Sequence, residues 1–179
     1  MNLKNLLSKK KKPVLERWFN LIIETYPPET IQFLKSQKDR FANPVGSTIF
    51  QGIEGIFDQF LQESESEKIS PFLDNVIRIR AVQDFTASQA LVFIFYLKKV
   101  IREELKNEIR EKGLSDEMLA LESEIDDLAL LSFDVFMQCR EQVYELKANE
   151  VKNMTFSLLK RANLIFDIDE QESAQKMKK

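Results

Sequence analysis

The stretch from Ser115 to Asp167 contains neither proline nor glycine, and this feature most constrains the fold. Proline and glycine are the residues that most often interrupt a helix. The stretch therefore predicts one helix of roughly 75–80 Å, at about 1.5 Å per residue. The whole chain of 179 residues has only 4 Gly and 5 Pro, and it has 14 Phe. Long helices around a bulky aromatic core follow, so we predict an all-α protein.

The first half of this helix carries an apolar stripe that broadens along the chain. The stripe comprises Met118, Leu121, Ile125, Leu128, Val135 and Cys139, and it is widened by Leu130, Leu131, Phe133, Phe136 and Met137. A helix that is apolar nearly all round is buried. We therefore expect this half to lie inside a helical domain.

Beyond Arg140 the apolar pattern narrows to a single seam. Its spacings alternate between four and three residues, which is the a/d pattern of a coiled coil over about three heptads. The seam consists of Tyr144, Ala148, Val151, Thr155, Leu158, Ala162 and Ile165. We predict that this helix pairs with its twin in a parallel homodimer, and the alternative is that it folds back onto its own domain.

Prolines and capping residues mark the other helices. Helices are predicted to begin at Pro13, Pro28, Pro44 and Pro71, and one from about 87 to 112 is predicted between an N-cap at Thr86 and a C-cap at Gly113. Gly46, Gly52 and Gly55 lie on the helix that follows Pro44. Because glycine inside a helix costs about 1 kcal/mol relative to alanine, we interpret these glycines as a face approached closely by another helix, or by a ligand.

Four segments are predicted: a basic tail at 1–12, a helical domain at 13–143, an extended dimerisation or linker helix at 144–167, and a polar tail at 168–179. Lys9–Lys12 form the basic cluster of the tail. A cluster of this kind either serves solubility or contacts nucleic acid or anionic lipid, and we favour solubility. No stretch has the roughly 18 uncharged apolar residues of a membrane span. We expect a cytoplasmic protein that binds no nucleic acid.

The composition removes most catalytic chemistry. The chain has no histidine and one cysteine, Cys139, which excludes His-ligated zinc, haem held by a proximal histidine, and a Cys–His nucleophile pair. Carboxylates cluster at Glu122, Asp126 and Asp127, but a carboxylate-bridged metal site normally includes histidine. We expect no catalytic residues, no metal and no cofactor. Cys139 is interpreted as a buried structural thiol, with a redox-sensing thiol whose pKa is lowered by Arg140 as the alternative.

The segment "IRIRAVQDF" holds the candidate polar site. Arg78 and Arg80 are two residues apart on a predicted helix, so they point about 200° apart. Asp84 is the i+4 neighbour of Arg80. One interpretation is a structural salt bridge that closes a helix–helix corner. The other is a binding site for an anionic or signalling ligand, formed by Arg78, Arg80 and Asp84.

Three long stretches resemble a known family. They are residues 16–49 ("ERWFNLIIETYPPETIQFLKSQKDRFANPVGSTI"), 74–105 ("DNVIRIRAVQDFTASQALVFIFYLKKVIREEL") and 125–152 ("IDDLALLSFDVFMQCREQVYELKANEVK"). Over about residues 10–162 the chain resembles the N-terminal domain of RsbRD-type RsbT co-antagonist proteins. The resemblance implies a haem-free, globin-like multi-helix bundle that acts as a signal-input module. It also implies a last helix that leads, as a coiled-coil-like linker, to a C-terminal STAS domain working with a serine kinase.

No STAS domain follows within these residues, so the resemblance implies a stand-alone sensor or adaptor domain. We expect a non-enzymatic homodimer of the stressosome-like sensor type that relays a signal through its paired C-terminal helix to a protein partner. The alternative is an accessory or assembly partner of a respiratory redox membrane complex in an anaerobic bacterium, because similar stand-alone domains occur beside respiratory redox genes. The identity of any small-molecule ligand is left open.

Overall fold

Capping residues and prolines mark several of the helix ends. A computed structural model describes residues 2–36, 42–62, 66–83, 85–162 and 164. Across these residues the chain forms eight helices and no strand, which confirms the all-α prediction. The helices are α1 (Leu3–Lys9), α2 (Lys11–Ile23), α3 (Pro28–Ser36), α4 (Pro44–Leu61), α5 (Ser66–Val82), α6 (Ala87–Glu104), α7 (Lys106–Lys112) and α8 (Ser115–Arg161).

Three predicted helix ends are confirmed in atomic detail. The Asn43 side chain accepts a hydrogen bond from the Gly46 amide at 2.8 Å, with Pro44 opening α4. Thr86 and Gln89 form the expected capping box at the start of α6. Gly113 ends α7 with φ of 64°, a left-handed conformation that glycine adopts without strain.

Other helix ends differ from the sequence-based expectation. Pro71 lies inside α5, which begins at Ser66 rather than at the proline. The helix predicted from about 87 to 112 is interrupted at Leu105, which is fully buried. At this break the Lys10 ammonium donates to the Glu104 carbonyl at 2.6 Å. A long-range contact of this kind cannot be read from local spacing.

The segment predicted as a basic tail contains α1 and the start of α2. Leu3, Leu6 and Leu7 of α1 are buried in the core. Lys10 forms an ion pair with Glu108 at 2.6 Å, and Lys11 pairs with carboxylates of α4. These two lysines therefore connect the N-terminal segment to α7 and α4, and the buried leucines of α1 anchor that segment.

The chain divides into two compact units, Met1–Arg140 and Glu141–Lys179. In the first unit α2, α4, α5 and α6 surround a core whose largest side chains include Trp18, Phe57 and Phe93. The Trp18 indole donates to the Phe93 carbonyl at 2.7 Å and so joins α2 to α6. The globin-like detail of the bundle and the predicted segment boundaries stay predictions.

One face of α8 within the first unit is exposed, contrary to expectation. Its buried residues run from Met118 to Cys139 on one side, whereas Leu130, Phe133 and Met137 are exposed. The prediction that this half is buried all round is therefore wrong. No helix among the described residues is long and apolar enough to cross a lipid bilayer.

Gly52 and Gly55 of α4 lie where α5 packs against this helix. A Cβ atom on Gly52 would collide with a methyl group of Val76, and one on Gly55 would collide with the ring of Phe72. This confirms the interpretation of these two glycines as a close helix–helix approach.

We expect Gly52→Ala to lower the free energy of unfolding by up to about 2 kcal/mol. Overpacking costs roughly 1–3 kcal/mol, and the helix-propensity gain of about 1 kcal/mol offsets only part of that cost. Val76 is β-branched and cannot turn aside freely. Urea denaturation would measure the change, with Gln51→Ala on the exposed side of α4 as the control. A more stable Gly52→Ala protein would contradict the close approach.

Candidate functional site

The two arginines of the candidate site lie in different environments. Arg78 is exposed and forms an ion pair with Asp74, one turn earlier on α5. Arg80 is fully buried, with 0% of its surface exposed. The structure therefore does not bring Arg78 and Arg80 together, and the site must be built around Arg80. Asp84 lies outside the described residues, so its pairing with Arg80 stays a prediction.

Arg80 joins three helices through hydrogen bonds. Its Nε donates to the Ala90 carbonyl at 3.0 Å, and its Nη2 donates to the Gln89 carbonyl at 2.8 Å. Nη2 also donates to the Thr25 hydroxyl, just past the end of α2, at 3.0 Å. The guanidinium thus ties α5 to the end of α2 and to the first turn of α6. Its planar array of donors suits this role, which a lysine ammonium could not reproduce.

Two aromatic rings enclose the guanidinium. Its Cζ atom lies 4.4 Å from the centre of the Phe85 ring and 5.4 Å from that of Tyr26. The two rings meet edge to face, with centres 5.2 Å apart. A cation held over desolvated aromatic faces gains roughly 2 kcal/mol. The rings therefore offset part of the cost of burying the charge.

Three buried polar atoms around Arg80 have no hydrogen bond partner among the described residues. They are Arg80 Nη1, the Tyr26 hydroxyl and Gln83 Oε1. Burial lowers the pKa of Arg80 and raises that of Tyr26, and the nearby Arg80 charge partly opposes the shift on Tyr26. Arg80 and Gln83 are thus close enough to act on the phenol, but neither meets it with hydrogen-bond geometry. Buried polar groups without partners are uncommon in proteins and call for an explanation.

A cavity of about 490 Å³ adjoins this cluster. It lies in the first unit, where the end of α2, α3, the start of α4 and the connection from α5 to α6 meet. Its lining is mainly apolar and includes Tyr26, Phe33, Val45 and Phe85. Thr25, Gln83 and Gln89 provide polar atoms on the side where Arg80 is bonded.

Sequence reasoning found Arg80 but missed its neighbours. Arg80 was detectable because it falls at helical spacing with the apolar residues Val76 and Ile77, both buried. Tyr26 and Thr25 lie more than fifty residues earlier. No local signal links them to α5, because tertiary packing alone brings them together.

The other candidate groups are accounted for by packing and ion pairs. Cys139 is a buried thiol whose pKa is raised by burial, which agrees with a structural role. Arg140 donates to the Ala81 carbonyl at 2.9 Å, and Arg78 rather than Arg140 is the cation that acts on the thiol. Glu122 pairs with Arg102, and Asp126 pairs with Lys98. Among the described residues no cluster of Cys, Asp or Glu could hold a metal ion.

The seam of the second unit is open to solvent. Tyr144, Val151 and Leu158 are 57%, 63% and 62% exposed. Ala148, Thr155 and Ala162 are exposed as well, and Ile165 lies outside the described residues. The seam is thus available to a partner, but the single chain leaves the homodimer untested.

Residues 12–151 match the family model described as the RsbT co-antagonist protein rsbRD N-terminal domain. The chain belongs to this family. RsbRD N-terminal domains are regulatory, sensor-type domains of stressosome-like proteins. The resemblance noted in the sequence is thereby confirmed.

A protein of Archaeoglobus fulgidus, described as an uncharacterized protein, is 21% identical over 145 residues. The aligned residues cover 78% of this chain and 83% of that protein. No solved structure matches the chain.

We expect the Tyr26 phenol to ionise only as the protein unfolds. Its pKa lies above the ordinary value of 10.0 in the folded state, so stability from the neutral phenol is present below about pH 10 and is lost as the pH rises further. The difference in phenolate absorbance between wild type and Tyr26→Phe would isolate this group. That difference should appear together with the loss of helical circular dichroism. A phenolate signal below pH 10 with the helices intact would contradict the assignment.

Proposed function

We propose that this chain is a non-enzymatic, cytoplasmic signal-input or adaptor domain. Its C-terminal helix pairs with the same helix of a second copy and relays a change in the helical domain to a protein partner. Membership of a sensor-type family supports the class. The observation that carries the pairing is the row of exposed apolar residues at Tyr144, Val151 and Leu158. Full burial of an aliphatic side chain of this size contributes about 1.5–3 kcal/mol.

The alternate positions of the seam favour close contact between two helices. Ala148, Thr155 and Ala162 lie between the larger residues. The Thr155 hydroxyl donates to the Val151 carbonyl at 2.8 Å, so its polar atom is satisfied within the helix. Small or internally bonded residues let a second helix approach without burying an unpaired polar group. A parallel pair places like residues opposite one another, which suits this simple seam.

Two exposed apolar residues of the first unit precede the seam at the same seven-residue spacing. Leu130 and Met137 precede Tyr144 by fourteen and seven residues, and both are exposed. We propose that these two residues also contact the second copy. A change in the helical domain would then act directly on residues of the interface, which is a route for a signal.

We expect Leu158→Glu to convert a homodimer into a monomer. The substitution places a charge in an apolar interface, where desolvation opposes association. Light scattering on a sizing column would measure the mass, which for the wild type should be twice the 21.0 kDa of the chain. Leu146→Glu is the matched control, because Leu146 is 71% exposed but lies off the seam. An unchanged mass for Leu158→Glu would reject the pairing, and a monomeric wild type would favour a hetero-complex such as a redox assembly.

Parallel pairing makes a separate prediction about cross-linking. Val151→Cys should form an intermolecular disulfide under mild oxidation, because equivalent seam positions face each other in a parallel pair. Asn153→Cys, two residues further along the helix, should not. Denaturing gels without reductant would show the cross-linked species, with Cys139→Ser as the common background. Equal cross-linking at both positions, or at neither, would contradict a parallel seam.

A further inference from the structure

The cavity beside Arg80 has the composition of a small-molecule site. Its volume of about 490 Å³ falls within the roughly 300–1,000 Å³ typical of such sites. The rings of Tyr26, Phe33 and Phe85 form much of its mainly apolar lining. Such walls suit a compact apolar body, and aromatic faces suit a ring or a short alkyl chain.

Two of the three residues with unpartnered polar atoms, Tyr26 and Gln83, belong to the lining of this cavity. Tyr26 and Gln83 both line it, and the Tyr26 hydroxyl and Gln83 Oε1 are unpartnered among the described residues. Tyr26 is only 7% exposed. Arg80 lies behind the same wall, bonded to Thr25 and Gln89 and held between the rings of Tyr26 and Phe85. Two donors, the phenol O–H and the Nη1 N–H groups, are therefore unused at this place.

The charge of the wall favours an anion. Arg80 carries a buried positive charge, and no ion pair joins it to a carboxylate of the described residues. Among the described residues the guanidinium meets only neutral acceptors and aromatic rings, and a charged acceptor offsets the cost of burying a cation better than a neutral one does. A single cation and a mainly apolar lining suit one negative charge. A phosphate group, with a higher charge and three acceptor oxygens, would need more donors.

We propose that this cavity binds a small carboxylate with an apolar body, as the signal that the domain receives. The carboxylate accepts a hydrogen bond from the Tyr26 hydroxyl and lies next to the Arg80 guanidinium. The apolar body packs against Phe33 and Phe85. Because the hydroxyl is covered in the structure, the Gln83 side chain rotates to admit the carboxylate. The assignment rests on the proposed signal-input function, which it extends by naming the class of ligand.

Binding would couple the ligand to the corner where three helices meet. The carboxylate adds an acceptor to the same guanidinium that already holds the Thr25 hydroxyl and the Gln89 carbonyl. Arg80 belongs to α5, Thr25 follows α2, and Gln89 lies in α6. A ligand here stabilises one arrangement of these helices over others, which is the requirement for a signal to shift a conformational equilibrium.

The test is a pair of isosteric probes that differ in charge. Indole-3-acetate and its amide would be titrated into the full chain by calorimetry, together with octanoate and octanamide as a flexible pair. We expect at least one acid to bind saturably and about tenfold more tightly than its amide, because a charge-assisted hydrogen bond is lost in the amide. Equal affinity for acid and amide, or no saturable binding of either acid, would overturn the proposal.

The Tyr26→Phe variant tests whether the Tyr26 hydroxyl binds the ligand or stabilises the fold. The hydroxyl has no partner among the described residues, so its removal should leave the melting temperature unchanged or raised. Binding of the acid should nevertheless weaken about tenfold. Ser157→Ala is the control, because it removes an exposed hydroxyl that lies off the seam and outside the cavity, and it should leave binding unchanged. Unchanged binding to a folded Tyr26→Phe protein would overturn the role of the hydroxyl.

Val45→Phe, which fills the cavity, should abolish binding of both members of each pair. Retained binding would place the ligand elsewhere.

The same titration on Leu158→Glu keeps the two proposals distinct. We expect this variant to keep saturable binding of the acid and its preference over the amide, because the cavity lies wholly in the first unit. Binding without any dimer in the wild type would reject the paired-helix relay and retain the ligand site. A dimer without acid binding would reject the ligand site and retain the relay.

Discussion

The burial of one arginine is the constraint around which the helical domain is arranged. A guanidinium retains its charge under physiological conditions, so it must find acceptors wherever the fold places it. In this protein the acceptors are two carbonyls of α6 and one hydroxyl that follows α2. Together these contacts bring α5, α6 and the end of α2 to one corner. The rings of Tyr26 and Phe85 complete the enclosure, and the same arrangement creates the wall of the adjoining cavity.

Several other ion pairs of the first unit connect neighbouring helices. Lys98 and Arg102 of α6 pair with Asp126 and Glu122 of α8, and Lys11 of α2 pairs with α4. Exposed pairs of this kind contribute little stability each, about 0–1 kcal/mol. Their value lies in fixing the order in which helices pack, while buried apolar side chains supply most of the free energy of folding. Glu122 and Asp126 of α8 therefore act as ion-pair partners of α6.

The two faces of α8 explain how one helix can serve both stability and association. In the first unit, one face buries residues from Met118 to Cys139, while Leu130, Phe133 and Met137 remain exposed. In the second unit, the residues of the seam are exposed in the single chain. Large apolar residues that repeat along a helix and remain exposed in the single chain are typical of an association surface. Membership of the RsbRD N-terminal family, a regulatory, sensor-type family, supports the proposal that a partner protein binds this surface.

The sequence by itself determined the features that depend on interactions within a few residues of each other. Helix starts at Pro28, Pro44 and Thr86 were predictable because capping and a fixed φ act within a few residues, and the absence of breakers determined the long α8. The close approach at Gly52 was predictable because a glycine inside a helix needs a compensating contact. Local sequence also placed Arg80 on the buried face of α5. It did not determine that Thr25 and Tyr26 meet Arg80, that Leu3 anchors the N-terminus, or that Leu130 is exposed. Only the tertiary structure decided these, because they depend on which helix faces cover one another, and residues far apart in the chain carry no local signal of their contact.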